Sequence, residues 1–202
     1  MAKPARKRSQ NLREDCVAEA MAIIAEHGLD KLSLREVARR LGVSHQAPYK
    51  HYPSRDHLLA EVLRRAYASF ANYLAARSSG QDGKSAMRDM GKAYIRYALK
   101  HPLEYRLMFN TALPGPSDHP ELLVHAHRAF DMLRDALRQR SSERKPTMPP
   151  QDIDAEALFV WSALHGIVSI MRSDLASSLK ITSTDAAAAI VLDRIGRAIE
   201  AG

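Results

Sequence analysis

Apolar side chains recur at helical spacing along almost all of this 202-residue chain, and this pattern constrains the fold more than any other feature. Near the N-terminus, Cys16, Ala20, Ile23 and Ile24 fall on one stripe of a helix. No stretch of strand length combines strict alternation with β-branched enrichment. The pattern therefore predicts an all-α protein of about nine helices.

Capping residues and helix breakers place the ends of these helices. Gly28 and Gly42 are C-terminal stops, and Ser33 and Glu36 form a capping box in which the glutamate reaches back to the cap. The predicted helices span about residues 10–27, 34–41, 44–52, 55–77, 84–100, 103–110, 120–140, 152–175 and 183–200. The long helix over 55–77 joins a small N-terminal part to a C-terminal helical bundle.

Composition excludes several classes of protein. A single cysteine, Cys16, rules out an internal disulfide and a cysteine-based zinc site, and it fits a reducing cytoplasm. The apolar stretch from Ala157 to Met171 is shorter than the ~20 residues of a membrane span. The basic N-terminus has no apolar segment behind it, so we expect neither a signal peptide nor a membrane anchor.

Positive charge is concentrated at the N-terminus. The net charge is +7, and five of the cations lie in the first thirteen residues. We expect residues 1–8 to form a basic flexible tail. Such a tail favours contact with nucleic-acid phosphates, although a merely solvated tail has the same composition, so charge alone leaves both interpretations open.

The two short predicted helices 34–41 and 44–52 are separated by a turn at Gly42, Val43 and Ser44, with the small Ala38 allowing close approach. This spacing is typical of a helix-turn-helix motif, whose second helix enters the DNA major groove. An ordinary corner between two helices remains the alternative. The side chains predicted to face bases are His45, Gln46, Ala47 and Lys50.

Several motifs follow one another within residues 12–62: Ser33-Leu34-Arg35-Glu36-Val37-Ala38, Leu41-Gly42-Val43-Ser44, Tyr49-Lys50-His51-Tyr52 and Ser54-Arg55-Asp56. Together they resemble the DNA-binding domain of the tetracycline-repressor (TetR) family. Trp161-x-x-x-His165-Gly166, with Tyr97-Ala98 and His101-Pro102, resembles the subgroup with a Trp-His-Gly signature. The resemblance implies a DNA-binding domain over 9–69 and a ligand-binding and dimerisation domain over 70–202. It also implies a homodimer on a palindromic operator in double-stranded DNA, often with a small-molecule effector.

The resemblance also suggests which side chains hold DNA phosphates. Carried onto this sequence, they are Ser33, Arg35, Tyr49, His51 and Arg55. The sequence departs from the family pattern at Gln46, where a small residue is common, and at Pro48, where an aliphatic one is common. These two positions bear on the base contacts. A purely structural role is the alternative to a phosphate contact for Tyr49. For Tyr52, we expect a place in the core.

The last two predicted helices carry the argument for a dimer. Residues 152–175 have one stripe of large apolar residues and another of small residues, so two of the helix faces require burial. A symmetric four-helix interface between two copies would bury both, although one chain could bury them itself. The residues predicted for this interface are Ser162, Gly166, Ser169, Leu192, Ile195 and Ile199.

Aromatic and methionine side chains on inward faces of the C-terminal helices suggest a small-molecule site with few polar groups. The candidates are Tyr94, Tyr97, Tyr105, Met108, Phe109, Phe130, Trp161 and His165. Ordinary core packing is the alternative for all of them, including His165.

Catalytic and metal-binding motifs are missing from the sequence. His119, His125 and His127 lack metal-ligand spacing, and there is no phosphate-binding glycine loop or nucleophile elbow. We therefore expect no metal, no cofactor and no enzymatic activity. The favoured function is a repressor released from DNA by an apolar or amphipathic effector. A DNA-binding regulator without an effector, or an activator, is the second interpretation, and a helical ligand carrier or enzyme is the third.

Overall fold

The computed structural model describes residues 5–78, 82–115, 117–143, 148–178 and 183–201, and within these ranges it is helical with no β-strand. The all-α prediction is confirmed. The helices are α1 (Ala5–His27), α2 (Leu34–Leu41), α3 (Arg55–Ala75), α4 (Gly83–Lys100), α5 (Pro102–Asn110), α6 (Pro120–Ser142), α7 (Pro150–Met171), the single turn α8 (Leu175–Ser178) and α9 (Thr184–Ala201). Two short 3-10 turns, Leu29–Lys31 and Pro48–Lys50, flank α2.

The first helix is longer than predicted. It begins at Ala5 rather than near Gln10, because alanine, arginine and lysine are good helix formers and no glycine or proline interrupts them. Residues 5–8, which we expected to be part of a flexible tail, therefore belong to α1. The rest of that predicted tail, residues 1–4, lies outside the described residues.

The predicted third helix, 44–52, is instead a set of turns ending in the 3-10 turn Pro48–Lys50. Proline is the physical reason, since Pro48 has no backbone N–H to donate to the carbonyl of Ser44, as an α-helix would require. The Ala47 N–H donates to that carbonyl at 2.9 Å. The segment that follows α2 is thus tighter and shorter than an α-helix.

The chain forms two compact units. The first contains Met1–Ala66 together with Arg106–Val124, and the second contains Tyr67–Tyr105 and His125–Gly202. The middle segment, Arg106–Val124, is in sequence part of the predicted C-terminal domain. The chain therefore passes between the units in three places, within α3, α5 and α6, and not in α3 alone.

The first unit has a continuous apolar core. The 3-10 turn Leu29–Lys31 leads into α2, which packs on α1, and the predicted stripes of these helices are buried. The buried side chains include Cys16, Ala20, Ile23, Ile24, Leu34, Val37, Ala38, Leu58, Leu59 and Val62. From the middle segment, Leu122 is also buried, and the ring of His119 lies edge-on to that of His57 with 4.9 Å between centroids.

In the second unit α7 packs on α4 and α9 through a stripe of buried residues: Ile153, Ala157, Val160, Leu164 and Val168. The α9 residues Ile195 and Ile199 are buried inside the same chain, and Leu192 lies over Gly91 of α4. These three side chains were predicted for a dimer interface. Ile195 and Ile199 are covered within one chain instead, whereas Leu192 is half-buried and its place in an interface stays a prediction.

The opposite face of α7 is apolar but uncovered. Leu158 is 54% exposed, Phe159 44% and Ile170 38%, and Ser162 and Ser169 lie on the same side. By length and composition the whole of α7 is apolar enough to cross a membrane. One such helix is weak evidence for a membrane span, since core helices of soluble proteins have the same composition. Only 28% of its most apolar window is buried within this chain, so much apolar surface remains.

One glycine of the second unit allows a close backbone approach. A Cβ at Gly83, the first residue of α4, would lie 2.6 Å from the backbone N and Cα of Arg140. Gly83→Ala should therefore lower the free energy of unfolding by roughly 1–3 kcal/mol. Gly196→Ala is the matched control, because no atom of the described part of the chain lies within 4 Å of that Cβ position and alanine favours the helix. Urea titrations giving the two variants equal stability would contradict this packing.

Candidate nucleic-acid interface

Capping interactions fix both ends of α2. At its start, the Ser33 hydroxyl accepts the N–H of Glu36 at 3.1 Å. At its end, Gly42 has φ 65°, a left-handed conformation that glycine adopts at little cost. The predicted return contact from Glu36 to the cap does not form. Its carboxylate accepts hydrogen bonds from Arg39 and Arg40 instead, and these lower its pKa to about 2.

The segment after Gly42 presents the side chains predicted to face bases. His45, Gln46 and Lys50 are exposed and Ala47 is half-buried. Pro48 is buried and anchors the segment from beneath. We define residues 44–50 as the reading segment. Its exposed imidazole, amide and ammonium groups are the kinds of donors and acceptors that read base edges.

Several cations of the first unit have no acidic partner among the residues that the structure describes, so their charge is available to attract phosphates. They include Arg13, Lys31, Arg35 and Lys50, all of them exposed, and Arg106 of the middle segment, which is exposed as well. Lys31 was missed in the sequence, although its place two residues before the cap of α2 was the available signal. Among the other predicted phosphate contacts, Tyr49 is 40% exposed, and Ser33 and His51 are half-buried.

Arg55 is placed differently from the prediction. Its Nε donates to the carbonyl of Leu32 and its Nη2 to the carbonyl of Leu29, each at 3.1 Å, while Nη1 lies 3.4 Å from Asp56. Carbonyl oxygens of the turn before α2 thus hold most of the guanidinium. A phosphate would have to compete with these bonds, and the phosphate contact of Arg55 stays a prediction.

Other arginines of the first unit are held in ion pairs. Arg64 and Arg65 both donate to Glu61, and Arg65 also reaches Glu14. Burial raises the pKa of Glu61, but the hydrogen bonds from the two arginines outweigh it and lower the pKa to about 2. Charge in these pairs is largely neutralised and contributes little to attracting DNA.

The second unit brings together three of the predicted ligand-binding side chains. The Tyr105 hydroxyl lies 2.8 Å from the Tyr94 hydroxyl and 2.8 Å from Nδ1 of His165. Burial lowers the pKa of His165 and so favours its neutral imidazole, and the imidazole tautomer determines whether Nδ1 accepts a hydrogen bond from the Tyr105 hydroxyl or donates one to it. Burial also raises the pKa of Tyr105 to about 12. We call these residues the Tyr–His chain.

The remaining predicted ligand residues are divided between different surroundings. Phe130 and Trp161 pack against each other with 5.6 Å between ring centroids. Tyr97 stacks on His101 and is fully buried, as core packing would require. Met108 and Phe109 belong to the middle segment of the first unit and not to the bundle. In the described part of the chain no group of three or more His, Cys, Asp or Glu side chains could hold a metal ion.

Similar proteins support the helix-turn-helix interpretation. An uncharacterised HTH-type transcriptional regulator of Mycobacterium tuberculosis is 28% identical over 77% of this chain and 68% of its own length. Other mycobacterial HTH-type regulators match at 30% identity over 43% of their length. The chain thus spans less than half of those relatives.

Two solved structures share the fold. A protein of unknown function from Rhodococcus sp. RHA1 has a TM-score of 0.79 and 23% identity, covering 93% of this chain and 94% of that one. A regulatory protein of the tetR family from Rhodococcus RHA1 has a TM-score of 0.70 and 17% identity, covering 93% and 96%.

Family models identify both halves of the sequence. Residues 17–62 match the model for bacterial regulatory proteins of the tetR family. Residues 87–195, more than half of the chain, match the tetracyclin repressor-like C-terminal domain. The Trp-His-Gly subgroup stays a prediction. With a reading segment on a capped α2 and both halves matched, this chain belongs to the tetracycline-repressor family of DNA-binding transcriptional regulators.

Proposed function

We propose that this protein is a cytoplasmic, homodimeric repressor that binds a palindromic operator and is released by a small apolar or amphipathic effector. The observation that carries the proposal is the exposed reading segment, held after α2 and accompanied by exposed cations, among them Arg13, Lys31, Arg35 and Lys50, that have no acidic partner in the described structure. The cations supply sequence-independent attraction to phosphates, and the reading segment supplies base contacts.

The uncovered face of α7 supports a dimer. Leu158, Phe159 and Ile170 expose apolar surface there, and the small residues Ser162, Gly166 and Ser169 allow another backbone to approach. Among the residues that the structure describes, no atom lies within 4 Å of the position that a Cβ on Gly166 would take, so this side of the helix leaves room for a partner. A second α7 related by two-fold symmetry would bury this face and pair two reading segments.

The Tyr–His chain supports an effector site in the second unit. It places a few hydrogen-bonding atoms among aromatic rings, including Phe70, which lies edge-on to Tyr94 at 5.3 Å. Such surroundings suit an apolar ligand with one or two polar groups. Release requires the ligand to change the spacing of two reading segments that must meet successive major grooves ~34–36 Å apart.

Release also sets an energetic requirement. Moving the population from 1:99 to 99:1 requires the ligand to favour the DNA-incompetent state by about 5.5 kcal/mol. The three passages of the chain within α3, α5 and α6 are the covalent routes for this coupling. A regulator without an effector, or an activator, is the second candidate. Core packing of the aromatic residues favours this second candidate, since the hydroxyls of Tyr94 and Tyr105 already form a hydrogen bond with each other and need no ligand. We propose no enzymatic activity.

Replacing Lys50 and Arg35 separates base reading from phosphate attraction. Lys50→Ala should cost about 1–3 kcal/mol on the selected operator and relax the preference at one base position. Arg35→Ala should weaken binding to all sequences and lower the salt slope by about one unit. Fluorescence anisotropy on operator and random duplexes over a salt series measures both. If Lys50→Ala leaves sequence preference unchanged, the base-reading role assigned to it is wrong.

Gly166→Leu tests the dimer. Because no described atom lies within 4 Å of a Cβ at Gly166, we expect the added side chain to disturb mainly a contact with a partner, by roughly 1–3 kcal/mol. We expect sedimentation to show dissociated subunits. Operator binding should weaken, since two separate subunits no longer have the high effective concentration of two reading segments linked in one dimer. Phe159→Ser should act in the same direction. Leu99→Ser, at an apolar residue of α4 that is 37% exposed, is the control that should remain dimeric.

Tyr105→Phe tests the effector site. The variant keeps a ring stacked near His165 but removes the hydroxyl that joins Tyr94 and His165. A thermal-shift screen of aromatic and lipid-like compounds, followed by DNA-release assays, would first identify ligands. Their potency should fall about tenfold in Tyr105→Phe, the loss of roughly one hydrogen bond, while operator affinity without ligand is retained. Ligands that stabilise the protein without altering DNA binding would favour the regulator without an effector.

A further inference from the structure

Two arginines hold the two ends of α2 through bonds to neighbouring parts of the protein. At the N-terminal end, Arg55 of α3 donates to the carbonyls of Leu29 and Leu32. These carbonyls flank the 3-10 turn that leads directly to the Ser33 cap. The position of that cap, and of Arg35 as the second residue of α2, is therefore tied to the start of α3.

At the C-terminal end, Arg40 binds three carboxylates, two of them on α1 and the third on α2 itself. Its Nη2 lies 2.8 Å from Glu26, its Nη1 3.3 Å from Glu19 and its Nε 3.1 Å from Glu36. The Arg40 side chain is only 16% exposed. Gly42 and the reading segment follow two residues later, so the bonds of Arg40 fix the point from which that segment departs.

The form of these contacts requires arginine. A planar guanidinium presents donors in several fixed directions and can serve two or three acceptors at once, whereas a lysine ammonium is a compact charge on a flexible stem. Partly exposed ion pairs add little to overall stability. These ion pairs matter more for the orientation of α2 than for stability. Because α2 has only eight residues, any rotation of this helix also moves the reading segment that follows it.

We infer that Arg40 and Arg55 are positioning residues for DNA recognition, which set the orientation of the reading segment relative to α1 and α3 without contacting DNA. The inference rests on the proposed DNA-binding function and goes beyond it. It assigns part of the sequence specificity to a layer of the protein behind the DNA-facing surface. It also replaces the phosphate contact expected for Arg55.

Arg40→Lys is the sharpest test, because it keeps the positive charge and removes the guanidinium donors that bind several carboxylates at once. Affinity for the selected operator should fall about tenfold, while affinity for random duplex DNA and the salt slope remain as in the wild type. Arg39→Lys is the matched control on the same helix. Arg39 also donates to Glu36 but has no bond to α1 in the described structure, and it is 66% exposed, so its operator affinity should be unchanged.

Arg55→Gln separates positioning from phosphate contact at the other end of α2. Positioning predicts a loss of about tenfold on the operator with the salt slope on random DNA unchanged, whereas a phosphate contact lowers that slope by about one unit. Thermal unfolding identifies a temperature at which all variants are folded, and binding is compared there.

Each result decides between these roles. Wild-type specificity in Arg40→Lys, or a lowered slope in Arg55→Gln, overturns the inference for that residue. Equal losses on operator and random DNA mean a structural role only, which also overturns it. A wild-type protein that selects no DNA sequence refutes the proposed function instead, so the two failures are distinguishable.

Discussion

An eight-residue helix in water does not persist on its own, and the DNA-facing part of this protein depends on how α2 is held. Its buried residues Leu34, Val37 and Ala38 give it one apolar face against α1. The serine cap and the left-handed glycine satisfy its backbone ends. Side-chain bonds from outside α2 then restrict its orientation. The reading segment, with a single 3-10 turn, has little regular structure of its own and inherits its place from α2.

The sequence predicted best what local chemistry determines. Gly28 and Gly42 both have positive φ, as the stops proposed for them require, and Ser33 caps α2. Helical periodicity identified the core stripes of α1 and α2. The prediction of a third helix over 44–52 was wrong because Pro48 removes one backbone hydrogen bond, and the spacing of apolar residues does not reveal this loss. The Glu36 return contact failed because two arginines compete for its carboxylate, and that competition depends on side chains brought together by folding.

Assignments that depend on long-range packing were harder. An apolar stripe indicates that a helix face is buried but does not identify its partner, so Ile195 and Ile199 were placed in an interface although both are buried within this chain. Met108 and Phe109 lie in sequence within the predicted C-terminal domain but group with the first unit in space. The Tyr–His chain joins residues up to 71 positions apart. Spacing along the chain cannot show that these three polar tips converge.

The grouping of Arg106–Val124 with the first unit has a consequence for how this protein can be divided or recombined. Leu122 lines the same groove of about 340 Å³ as Tyr52 and Ala60, so the DNA-reading half includes residues that a cut after Ala66 would remove. A chimaera made by one crossover between two relatives would therefore pair one parent's α3 with the other's middle segment. Exchange of operator specificity by recombination requires coordinated junctions in α3, α5 and α6, and point substitution in the reading segment is the simpler evolutionary route.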